Sequence, residues 1–250
     1  MPALYKAEGI ILRTRPLGES DRIITLLSPD IGRVHAVARG SRKIKSIFMG
    51  KLEPATKIKA LIAYGRNLDI ITQVQVIEFH PYLRRNLQRL VTSAYLLELF
   101  EAFSQSQEKS TPQYNLLEKG LLALEKGIKP EVVCRACEIK LIWFSGYQPE
   151  LDVCVVCRKK VESAEHFSSR LGGIICDRCS GREKNLLPFP EKTRVLYRKF
   201  LKSPPGTIKG EEIDRQTADN LELIMADYLA GIIGRPFSSS RFIKEFRGEQ

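Results

Sequence analysis

The sequence predicts an α+β protein: a closed barrel of five short strands at the N-terminus, then an all-helical domain carrying a four-cysteine zinc module. Three observations predict it. Apolar and polar residues alternate with period two through the first 80 residues. From Pro81 on, apolar residues recur at spacings of three and four instead. Late in the chain, two C-x-x-C pairs lie 18 residues apart.

The strands read as follows. In "KIKALIAY", Ile58, Ala60, Ile62 and Tyr64 fall on one face with Lys57 and Lys59 opposite. In "LDIITQVQVIE", Ile70, Thr72, Val74 and Val76 alternate with Ile71, Gln73 and Gln75. Similar segments lie at Tyr5–Thr14, Asp21–Leu27 and Arg33–Arg39, separated by the turn sequences "PLGES", "SPDIG" and "GRN". Five short strands in about 75 residues fit a small closed barrel, and the oligonucleotide-binding (OB) barrel is the leading candidate. This domain spans residues 1–79.

The helical domain spans residues 80–250. Leu83, Leu87, Leu90, Ala94 and Leu97 form an apolar stripe, with Arg84, Arg85 and Arg89 off it. After the polar linker "SQSQEKSTPQ", helices are expected at Asn115–Lys126, Pro130–Ser145, Glu191–Leu201 and Asp214–Ile233. In the last, Leu221, Met225, Tyr228 and Ile232 share a side.

Six cysteines in a chain with no signal-peptide layout point to metal, catalysis or core packing before disulfides. Cys154, Cys157, Cys176 and Cys179 form C-x2-C-x18-C-x2-C, the spacing of a four-thiolate zinc site. Each short pair binds one ion from a tight turn, and two such turns complete a tetrahedron. Arg158, Lys159 and Lys160 follow the first pair and favour thiolate over thiol. Gly172 and Gly173 supply a turn between the halves. The rival set Cys134, Cys137, Cys154 and Cys157 passes the same filter, but Cys134, Cys137, Leu141 and Phe144 lie along an apolar helical face with no turn after Cys137. Cysteines so placed pack as small hydrophobes. The expected site is closed and structural, holding one Zn2+ in a module at about residues 150–184.

Charge points to the partner. The chain carries a formal net charge of +11, and residues 1–80 hold 13 Lys+Arg against 7 Asp+Glu. From Gly32 to Pro54 the only acid is Glu53, against Arg33, Arg39, Arg42, Lys43, Lys45 and Lys51. One-sided charge on and after a barrel strand calls for a polyanion, nucleic acid first and an anionic membrane surface second. Arg13, Arg15 and Arg22 extend the candidate face. Phe48 and Tyr64 are candidate base-stacking rings, although Tyr64 falls in line with Ile58 and Ile62 and reads as core. The longest apolar runs, such as "LIWF", are too short to span a bilayer, so a cytoplasmic protein is expected, nucleoid-associated where its polyanion is DNA.

Catalytic signals are missing. No P-loop, G-x-S-x-G or H-E-x-x-H occurs, and His35, His80 and His166 are scattered. Glu19 and Asp21 might offer a nuclease a metal pair, but both stand in a turn beside Arg22, where a capping role is expected. A binding protein is therefore favoured over an enzyme. The alternative from another class is a zinc-ribbon nucleic-acid-binding adaptor of transcription or RNA type.

The run "GIILRTRPLGESDRIITLLSPDIGRVHAVARGSRKIKSIFMGKLEP" resembles the N-terminal domain of the RecO family of bacterial recombination mediators. "FSGYQPELDVCVVC", "LGGIICDRC" and the tail "YLAGIIGRPFSSSRFIKEF" follow in that family's order, so the resemblance covers nearly the whole chain. It implies an OB barrel that binds DNA, joined to a helical domain bearing zinc on the four cysteines, with "ARGSRKIKS" facing DNA. It further implies binding of single- and double-stranded DNA, annealing of complementary strands, and partnership with RecR. Contact with the acidic C-terminal tail of single-stranded DNA-binding protein (SSB) and help in loading RecA onto SSB-coated strands complete the expectation.

Overall fold

The computed structural model describes residues 3–163, 166–208, 213–237 and 239. The end of the tail that carries the family resemblance, from residue 240 on, lies outside them.

Strands β1 (Leu4–Leu17), β2 (Asp21–Ser28), β3 (Gly32–Ala38), β4 (Lys57–Ala63) and β5 (Asp69–Glu78) close into a barrel in the order β1-β2-β3-β5-β4, with β4 returning to β1. Every pairing is antiparallel except β3 with β5. The long connection 39–56 carries the chain past β3 to the far side of the barrel, so β3 meets β5 in parallel. This is the OB arrangement. Strand β1 is 14 residues long, pairs on both sides, and shifts register between Ile11 and Arg13. A bulge there supplies the bend that closure needs. The alternating residues point inward as the period requires: Ile11, Ile24, Leu26, Val34, Ile58 and Ile62 form the barrel core.

Two predicted aromatic roles are exchanged. Phe48 is buried in the barrel core, whereas Tyr64 is 58% exposed and lies against Tyr5 at 4.7 Å between ring centroids. Strand β4 ends at Ala63, one residue before the alternation would have turned Tyr64 inward. Phe48 comes from a connection, where no period operates.

A 3-10 turn (Tyr82–Arg85) leads into α1 (Leu87–Phe103), whose first turn is capped by Asn86 accepting from the Arg89 N–H at 3.0 Å. Helix α2 (Thr111–Glu125) follows. In the predicted apolar stripe only Leu83 and Leu97 are buried; Leu87, Leu90 and Ala94 are exposed, the last two lining a cleft with Leu83 and Leu97. The buried residues of α1 are instead Tyr95, Leu96, Leu99, Phe100 and Phe103. The helix is apolar on several sides, so periodicity alone does not choose the face and packing does.

Chemical character changes from strand to helix near residue 80, yet the residues through Gly127 form one compact unit with α1 and α2 in it. Gly32 shows how tightly they meet. Its φ is +76°, and a Cβ there would stand 2.3 Å from the Glu108 carbonyl oxygen and 2.5 Å from that of Gln105. Arg33 donates its backbone N–H to Gln105 at 2.8 Å, and the Ser110 hydroxyl donates to the Ser28 carbonyl at 2.8 Å.

The second compact unit starts at Ile128. It contains α3 (Pro130–Phe144), the short strands β6 (His166–Ser168) and β7 (Gly173–Ile175), the single turn α4 (Asp177–Ser180), β8 (Leu187–Pro188), α5 (Glu191–Lys202) and α6 (Arg215–Ile233). Helices α3, α5 and α6 pack together, burying Cys134, Cys137 and Leu141 from the first and Leu221, Met225 and Tyr228 from the last. The three strands make a small sheet in the order β7-β6-β8. They are two or three residues long, too short for alternation to register in sequence. Among the described residues no helix is long and apolar enough to cross a membrane.

Candidate metal centre and nucleic-acid interface

The four sulfurs of Cys154, Cys157, Cys176 and Cys179 lie within 4.8 Å of one another. Two tight turns bring them there. Arg158 N–H donates to the Cys154 carbonyl at 2.8 Å with Arg158 in the left-handed region at φ 60°. Cys179 and Ser180 donate their N–H groups back to the Cys176 carbonyl at 2.8 and 3.1 Å. Between the turns, the hairpin of β6 and β7 returns the chain through Gly172 at φ 72°.

This donor set fits a zinc ion. Four sulfurs at about 2.3 Å from one centre stand about 3.8 Å apart, and Cys157 Sγ and Cys176 Sγ are 3.8 Å apart. All six cysteines are free thiols. Burial pushes the Cys154 thiol up most, but N–H groups of Cys157, Cys176 and Val156 outweigh it and bring the group down to about 6. Burial and then the neighbouring cysteine thiols push Cys179 up to about 12. Sulfurs this close share too much negative charge to ionise together, and a dication at their centre removes that conflict. Cys134 and Cys137 take no part: both are buried in α3, and burial pushes the Cys137 thiol well up. Among the described residues no other group of three or more His, Cys, Asp or Glu ligand atoms comes together.

Buried Arg194 of α5 fastens the module's first half. Its guanidinium donates to the carbonyls of Leu151 at 3.3 Å, Val161 at 2.9 Å and Glu162 at 2.5 Å, and pairs with Glu191 at 2.6 Å. Replacing it with alanine leaves those carbonyls short of a donor. Arg194→Ala is expected to destabilise this unit by about 1–3 kcal/mol, the cost of leaving buried acceptors without a donor. Thermal unfolding checks it, and Arg194→Lys should recover only part, since one ammonium lacks the planar fork.

The nine candidate DNA-facing cations separate into two groups. Arg13 and Arg15 lie 3.6 and 3.8 Å from the Glu101 carboxylate on α1, and Arg33 donates to the Glu101 carbonyl at 2.9 Å. Arg22 pairs with Glu53 at 3.3 Å. Arg39, Arg42, Lys43, Lys45 and Lys51 are all exposed on the connection 39–56, and no carboxylate stands within ion-pair distance of them among the described residues. Arg42 donates to the Gly18 carbonyl at 2.7 Å, which steadies one flank of the connection.

Asp21 holds the base of that connection. Its Oδ1 accepts from the Gly40 N–H at 2.7 Å and from the Ser20 hydroxyl at 2.8 Å. The Gly40 N–H first, then Ser20, with Arg39 and Lys43 adding, keep its carboxyl below the ordinary range. The sequence places Asp21 in a turn, but it opens β2 and bonds the Gly40 backbone 19 residues on, so it ties two connections together instead of capping its own turn. His35 is half-buried on β3, with Nδ1 3.2 Å from the Thr25 hydroxyl, and burial then Arg33 lower its pKa.

Comparisons with known proteins agree along the chain. The family models "Recombination protein O N terminal" and "Recombination protein O C terminal" match residues 1–80 and 84–241. The DNA repair protein RecO of Pelotomaculum thermopropionicum is 33% identical over 243 residues, covering 97% of this chain and 94% of that protein. The DNA repair protein RecO of Roseiflexus sp. is 33% identical over 246 residues, 98% of this chain and 86% of its own. That of Thermoanaerobacter sp. is 29% identical over 245 residues, 98% of each.

Proposed function

Because this chain belongs to the recombination protein O (RecO) family of DNA repair proteins, we propose that it is a DNA-binding recombination mediator that acts by binding and not by catalysis. In this reading it binds single- and double-stranded DNA and anneals complementary strands. With RecR it helps RecA replace SSB, whose acidic tail it engages, at the nucleoid. The observation that carries the DNA-binding part is the set of five exposed cations on one connection of an OB barrel. A phosphate backbone is the polyanion such a barrel accommodates, and contacts of this kind need no base-specific geometry. Arg13, Arg15, Arg22 and Arg33 form the flank of the same interface; their pairing with Glu101 and Glu53 leaves them a weaker share of phosphate contact.

In the second unit the four cysteines hold one structural zinc ion, which when bound cross-links two turns of a sheet too small to stand alone. Arg158, Lys159 and Lys160 beside it are exposed and offset the negative charge of four thiolates.

The test is binding of a labelled single-stranded oligonucleotide across a salt series, together with annealing of SSB-coated complementary strands in the absence of ATP. The logarithm of the affinity should fall linearly with log salt, and coated strands should anneal faster with the protein than without. Salt-independent binding, or none, overturns the reading. In competition at matched salt, a strong preference for structured RNA over DNA turns it toward the adaptor.

A further inference from the structure

The connection 39–56 presents something besides charge. Ile44 is 88% exposed, Ile47 67% and Met49 60%, three of the most exposed large apolar side chains among the described residues. The backbone beneath them is not loose. Asp21 fixes Gly40, and the Arg42 N–H donates to the Ser20 carbonyl at 2.9 Å. Turn bonds then follow in steps: Lys43 to Gly40 at 3.1 Å, Ser46 to Lys43 at 3.0 Å, Met49 to Ser46 at 3.1 Å and Lys51 to Phe48 at 3.1 Å. Phe48 and Leu52 plug into the barrel core, exposed only 6% and 1%. A segment that buries two of its large apolar residues and holds three outward presents those three as a surface.

The occupant follows from what surrounds them. Arg42, Lys43, Lys45 and Lys51 are interleaved with the three aliphatic side chains and are exposed as well. A partner must offer negative charge and apolar faces within a residue or two of each other. Nucleic acid does so, with phosphates outside and base faces within, and aliphatic side chains are known to enter between base steps as wedges. A bilayer surface also combines the two, but it is bound by the broad apolar face of an amphipathic helix, and this connection contains no helix. We propose that Ile44, Ile47 and Met49 form a wedge that enters between neighbouring bases of a strand held by the adjacent cations and unstacks them. Aliphatic groups read no hydrogen-bond pattern, so the contact is indifferent to sequence. It would open the stacked single strand and small hairpins, leaving base edges free to pair. The inference rests on the reading that this connection meets DNA.

A single-stranded oligonucleotide with 2-aminopurine within an adenine run is the probe, because emission rises when the fluorescent base unstacks. The wild-type protein at saturation is expected to raise emission at least twofold. Ile44→Ser, Ile47→Ser and Met49→Ser combined should bind within about threefold of wild type with the same salt slope, yet give less than half the rise. All three side chains point to solvent, so the fold should persist, checked by an unchanged thermal midpoint. The matching triple leucine variant should retain the rise. An equal rise with the serine variant, or salt-dependent wild-type binding with no rise, overturns the wedge and leaves DNA binding standing. No binding by wild type removes the DNA-binding reading itself. If wild type but not the serine variant sediments with phosphatidylglycerol vesicles while both give the same oligonucleotide rise, the aliphatic side chains serve a membrane surface and the wedge is overturned.

Discussion

Cys154→Ser is expected to take the protein from one bound zinc per chain to essentially none, whereas Cys134→Ser keeps the metal. The two substitutions remove the same atom from two C-x-x-C pairs, and only the surroundings differ. Cys154 is fully buried among three sulfurs and accepts the Cys176 N–H at 3.5 Å, so its thiolate is stabilised before any ion arrives. A serine hydroxyl at that position stays protonated and offers zinc a much poorer ligand. Cys134 sits in the packed face of α3, away from the cluster, and its loss leaves all four sulfurs of the centre in place. Zinc contributes about 10–16 kcal/mol to folding in isolated zinc modules. Here Arg194 and the packing of Phe167 against Phe189 and Tyr228 share the task, so the loss is expected to be a fraction of that. Metal analysis of the purified variants, with thermal melts before and after chelation, checks both parts. Retention of zinc in Cys154→Ser would remove these cysteines from the centre, and chelation should leave Cys154→Ser unchanged while lowering the midpoint of Cys134→Ser.

How far the sequence reached depends on whether a feature is local. Period-two alternation marks β3, β4 and β5, which bury one face more than the other, whereas Gly9–Leu12 of β1 and Ile24–Ser28 of β2 are buried on both faces. Two cysteine pairs at ligand spacing are likewise legible, since each turn is built by neighbours in the chain. The excess of positive charge from Gly32 to Pro54 is visible at once. What stayed hidden depends on partners far along the chain. Arg33 meets Glu101 across a separation of 68 residues, and nothing near Arg33 announces it. Phe48 lies in a connection without periodicity, so its return to the core is decided by the closed barrel and not by its neighbours. For α1 the apolar residues surround the helix, and the face that packs was chosen by the barrel and α2. In the sheet of the cysteine module Phe167 packs against Phe189 and against Tyr228 of α6, so its two- and three-residue strands need no pattern of their own.

Reversing Arg39, Lys43 and Lys45 to glutamate together is expected to weaken single-strand binding by at least about 100-fold near 0.1 M salt. Each phosphate contact carries a salt slope of about −0.7, so between 1 M and 0.1 M salt three contacts are worth about 100-fold in affinity. The introduced carboxylates add repulsion to that loss, and the slope itself should flatten by about 2. Arg42 is spared because its guanidinium braces Gly18. The base of the connection should survive, since Asp21 is held by the Gly40 backbone N–H and Ser20 and not by the replaced side chains alone. A control separates a local site from bulk charge. Lys109, Lys119 and Lys126 are exposed in the same unit, and reversing them makes the same change: three reversals of two charges each take +11 to +5. If DNA follows the field of the whole molecule, both variants weaken alike. If it is held on the connection between β3 and β4, the control keeps its salt slope and loses several-fold at most, while the cluster variant loses both slope and affinity. Equal behaviour of the two would move the interface off this connection, because charge at the right place and charge merely nearby predict different slopes.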